Sequence, residues 1–71
     1  MKDLRQYAGL CAELEKELSQ AMAAARVISF CVKTGQPNPM KRSAIELNKA
    51  LNTSIDLMLE ITKRLNEEQV L

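Results

Sequence analysis

Five consecutive residues, Gly35-Gln36-Pro37-Asn38-Pro39, hold both prolines and one of the two glycines of this 71-residue chain. They separate two long stretches in which Gly9 is the single remaining backbone breaker. Two long elements joined by a short turn are therefore expected. Apolar residues make up 46% of the chain, yet it has one Tyr, one Phe and no Trp, so burial has to come from Leu, Ile, Val, Met and Ala, the composition of a helix bundle.

Before the turn, Leu4, Tyr7, Cys11, Leu14, Leu18, Ala21, Ala25, Ile28 and Val32 recur at alternating spacings of three and four, which is an unbroken heptad pattern. The spacing predicts a first helix over about residues 3–33, with Asp3 as N-cap and Gln6 as its capping-box partner. Thr34-Gly35 is its stop, because Gly takes the left-handed conformation that ends helices. The turn is expected over residues 34–40 and the second helix over about 41–68. Two starts for the second helix stay open: Asn38 as cap with Pro39 in the first turn, or Ser43-Ala44-Ile45-Glu46 as a capping box.

The second helix places Ala44, Leu47, Leu51, Ile55, Met58, Ile61 and Leu65 on one side, with Leu59 and Leu57 on its flanks. Its apolar arc spans about two-thirds of the circumference at ~100° per residue, where a surface helix needs a stripe of only about 100°. Asn52-Thr53-Ser54 is the weak point at which Thr53 and Asp56 could cap a new helix.

Helices of this length joined by a short turn lie antiparallel. The fold class is all-α: one helical-hairpin domain over residues 1–71, about 45 Å long. Two helices bury only their facing stripes, so the wide arc of the second helix and the flank residues Leu10, Met22 and Ala24 would face water in a monomer. A patch of that size marks an interface. Pairing of two hairpins into a four-helix bundle is the simplest outcome, with the Ala21 to Ala25 segment as a place for close helix approach.

Charge sets the expected orientation. Residues 25–50 carry a net +4, residues 1–24 a net −1 and residues 51–71 a net −2. The turn end is basic and the open end acidic, so antiparallel hairpins juxtapose opposite charges and form a twofold dimer.

Several function classes recede on the same grounds. The chain has no His and its carboxylates fall mostly on solvent strips, so neither a general base nor a metal cage is expected, and catalysis and cofactors with them. Glu13, Glu15 and Glu17 read as a solvated acidic face. A net charge of +1 disfavours nucleic acid as a partner. No apolar run reaches the roughly 20 residues of a membrane span, and Met1-Lys2-Asp3 leads into a charged amphipathic pattern, so a cytoplasmic protein is expected. Cys11 and Cys31 would lie about 30 Å apart on one helix, too far to bridge within it. Free thiols follow.

Val27-Ile28-Ser29-Phe30-Cys31-Val32 is apolar on nearly every side, although the heptad needs only Ile28 and Val32. Val27, Phe30 and Cys31 are thus candidate anchors for a target protein, unless the start of the second helix buries them. Lys41 and Arg42, beside the turn, are candidate contacts to an acidic groove or phosphate, or plain loop charge. Tyr7 is expected in the core with its hydroxyl at the rim. The expected partners are a second copy of the chain and an unidentified protein target.

In helix lengths and turn position the chain is similar to two kinds of hairpin. One is the plasmid RNA-binding Rop proteins, which dimerise into four-helix bundles. The other is the small co-chaperones of type III secretion needle subunits, which implies a heterodimer instead. The likeness is one of layout and carries no motif; against the Rop-like reading, the basic residues cluster at the turn end and form no stripe along a bundle face.

Overall fold

The C-terminal stop of the first helix forms as its sequence dictates. Gly35 adopts φ +67° and ψ +42°, and the Gln36 amide donates a 3.1 Å hydrogen bond to the Cys31 carbonyl, closing the left-handed cap that only Gly makes without strain. The computed structural model describes residues 4–70. Leu4–Tyr7 form one turn of 3-10 helix that leads into α1, Ala8–Thr34, and α2 spans Pro37–Val70. The expected cap Asp3 lies outside the described residues.

The turn is shorter than the predicted 34–40, because α2 begins at Pro37 and not near residue 41. Pro37 and Pro39 both fit the first helical turn, where the amide they lack has no intrahelical acceptor. Neither proposed cap is used, and Ser43 instead lies buried inside α2. Nor does α2 break at Asn52-Thr53-Ser54. Thr53 Oγ1 donates to the Lys49 carbonyl at 3.1 Å and Ser54 Oγ to the Ala50 carbonyl at 2.8 Å, so both hydroxyls are satisfied within the helix.

The two helices pack against each other along their length. The result is a rod of 55 × 17 × 13 Å. Its radius of gyration is 16.4 Å, against about 11 Å for a compact domain of this length.

Small side chains, with Tyr7, hold the most buried positions between the helices. Among the described residues, Tyr7, Ala21, Ala24, Cys31 and Ala50 are buried, with Ser43 and Ser54, and no large side chain is fully buried. Ala and Ser let the helix axes approach closely but remove little apolar area from water. The accessible surface is 5687 Å², about 1,200 Å² more than the ~4,450 Å² expected of a compact monomer of this mass.

Candidate functional site

Three rows of residues run along the 3-10 turn and α1, and burial separates them cleanly. Tyr7, Leu14, Ala21 and Ile28 form the middle row and are buried or half-buried. Leu10, Glu17, Ala24 and Cys31, on one side of it, are equally covered; Leu4, Cys11, Leu18, Ala25 and Val32, on the other, are all exposed. The heptad read from the sequence had the middle row right and the wrong neighbour. Leu4, Cys11, Leu18 and Ala25 are not part of the hairpin's own seam, and Leu10 and Ala24, expected to face water, lie within it. Next to the turn this sets the smaller Cys31, and not Val32, against α2.

The same offset recurs on α2. Met40, Leu47, Ser54 and Ile61 form its middle row, and Ser43, Ala50 and Leu57 complete the seam. Ala44 is half-buried, while Leu51, Met58 and Leu65, spaced by sevens from it, are exposed, as is Ile55. Leu47 and Ile61 therefore hold their predicted core positions, whereas Leu51, Ile55, Met58 and Leu65 lie outside the hairpin's seam.

These exposed rows share one side of the rod. On the opposite side an open groove is lined by Glu17, Gln20, Ala23, Ala24 and Val27 of α1 together with Ser43, Glu46, Lys49, Ala50 and Thr53 of α2. That places the flanks beyond Ala24 and Ala50 together. The flanks beyond Ala21 and Leu47, which carry Leu18 and Leu51, then face the other way by the angular order of a helix. The outer face so formed comprises Leu4, Cys11, Leu18, Ala25, Val32, Ala44, Leu51, Met58 and Leu65, and none of these is charged. Met22 and Ile55 extend it. Arg26 closes its rim, with a guanidinium nitrogen 3.4 Å from the Met22 sulfur.

The residues expected to contact a target divide differently. Val27 and Phe30 are exposed, Phe30 by 60%, and so are Lys41 and Arg42. Cys31 is only 2% exposed and is a seam residue, so it cannot be an anchor for another protein. Val27 lines the groove, and Phe30 and Arg42 follow it around their helices on the groove side, whereas Lys41 belongs to the side of the outer face. Tyr7 is buried as expected, but its hydroxyl oxygen also lies inside and not at the rim. Glu17, read as solvated, is half-buried on the groove wall.

Among the described residues, no group of three or more His, Cys, Asp or Glu side chains could hold a metal ion. No described helix is long and apolar enough to cross a membrane. Comparison with protein-family models, curated proteins and solved structures gave no match. What the hairpin does is therefore read from its two faces.

Proposed function

We propose that the chain is a small non-enzymatic interaction module, a dimeric regulator or adaptor that modulates or sequesters a partner protein by stoichiometric binding. The observation that carries this reading is the apolar outer face that runs the length of the rod between Arg26 and Lys41 at its edges and stays outside the hairpin's own seam. Leu18 is 47% and Leu51 41% exposed at mid-length. An apolar surface of this extent marks a site of association.

The two faces then have different tasks. The outer face holds a second copy and forms a four-helix bundle, and Val27, Phe30 and Arg42 on the groove side remain available to a target. A mixed apolar and basic patch suits an acidic amphipathic segment better than a nucleic acid, because the chain's +1 net charge supplies no extended phosphate-binding stripe.

Light scattering on the purified protein across a concentration series tests the reading. A mass of about twice 8.0 kDa is expected. A stable monomer with full helicity at all concentrations contradicts it. An unstable, polydisperse preparation that is rescued by a different chain would favour the heterodimer reading, in which the same outer face packs on a co-chaperone partner.

A further inference from the structure

We infer that the occupant of the outer face is a second copy lying antiparallel to the first, with the twofold axis passing near Leu18. This rests on the self-association proposed above and adds its face, orientation and register.

Area argues for a partner of this size. The rod presents a face of 55 × 17 Å, and a stable interface removes about 800 Å² from each partner. A second rod of the same length covers the face from end to end, whereas a short peptide leaves most of it wet. The excess surface of about 1,200 Å² over a compact monomer is of the same order.

Charge sets the orientation. Antiparallel copies place the +4 of residues 25–50 beside the acidic open end of the other copy, whereas parallel copies would set the two basic turn ends together.

The register follows from the hairpin. Glu17 and Thr53 are the groove residues farthest from the turn along their helices, which in an antiparallel pair sets them near one level, and Thr53 is near the middle of α2, Pro37–Val70. A twofold axis at this level, in the plane of the interface and perpendicular to the helices, sets α1 across from α1. Leu18 then meets the second copy's Leu18, and Ala25 meets the second copy's Cys11.

Two measurements on the full chain test this. Spin labels on Gln36→Cys, in a Cys11→Ala background, should lie roughly one rod length apart, on the order of 50 Å. Ala25→Cys with native Cys11 retained should give a covalent dimer on mild oxidation, while Met58→Cys should not. Ala25 is exposed in the hairpin, and circular dichroism verifies that each variant keeps its helices. A dimer with a short Gln36 distance, or with cross-linking through position 58, overturns the antiparallel arrangement and leaves self-association standing. A long distance without a 25-to-11 cross-link overturns the register. A monomer by light scattering overturns this inference together with the reading it rests on.

Discussion

Cys31 and Cys11 lie on the same helix but in rows on opposite sides of the Tyr7, Leu14, Ala21, Ile28 line, and so Cys31 is sealed in the hairpin while Cys11 is open. Because accessibility governs how fast a thiol meets a reagent, the pair reports on both layers of structure. In dilute protein, maleimide should modify Cys11 rapidly and Cys31 only as the hairpin opens, as read by mass spectrometry over time. At concentrations where the dimer forms, Cys11 should slow as well. Equal rates for the two thiols in dilute protein would contradict the seam, and a Cys11 rate independent of concentration would contradict coverage of the outer face.

Substitutions in the two layers should fail in different ways. Ala21→Leu or Ala50→Leu adds bulk where the helices approach closely, and overpacking of this kind costs about 1–3 kcal/mol. The expected result is a lowered melting midpoint. Leu18→Asp or Leu51→Asp places a charge on the outer face, tolerated by a solvated hairpin but left without a partner once that face is covered. Loss of the dimer mass is expected, with a melting midpoint below that of the parent chain because association no longer adds to the stability of the folded state. Native mass in Leu18→Asp would argue against this face as the interface.

Much of this architecture is legible in the sequence, and the missing part has a definite cause. The breaker cluster gives two helices, and Gly35 gives the stop. Tyr7, Leu14, Ala21 and Ile28 belong to any reading of the heptad. Choosing the row beside them by hydropathy favours Cys11, Leu18 and Val32, since Glu17 in the competing row argues against burial. Packing chooses otherwise, because the seam is governed by how closely two backbones approach, and Ala24, Ser43, Ala50 and Ser54 allow this at little polar cost. The start of α2 is missed for a related reason: proline reads as a breaker, while in a first turn it is a helix initiator. Of the expected target-binding residues, Val27, Phe30, Lys41 and Arg42 are exposed, but Cys31 owes its burial to the row it occupies, which spacing alone does not assign.

The two glycines should respond to alanine with opposite signs. An added Cβ would meet nothing within 4 Å at either position, so only the backbone matters. At Gly35, φ is +67°, and a Cβ in that left-handed region costs about 1–2 kcal/mol. At Gly9, inside α1, Ala is favoured by about 0.8–1 kcal/mol. Chemical denaturation should therefore show Gly35→Ala less stable and Gly9→Ala more stable than the parent chain. A destabilised Gly9→Ala would mean that its helix is not formed at that point.

Phe30 offers a way to separate a target site from the core before any target is known. A buried Phe cut back to Ala costs about 3–5 kcal/mol, enough to unfold a hairpin this small, whereas an exposed one should shift stability by no more than about 0.5 kcal/mol. Phe30 lies on the groove side with Val27 and Arg42, away from the rows that hold the hairpin and from the face assigned to the second copy. Phe30→Ala, alone or with Val27→Ala, should therefore keep the melting midpoint and the dimer mass while weakening binding to a target. Its retained stability is the decisive first measurement. A large fall in the midpoint would place Phe30 in a buried environment, assign it to holding the fold or assembly, and remove it from the proposed target surface.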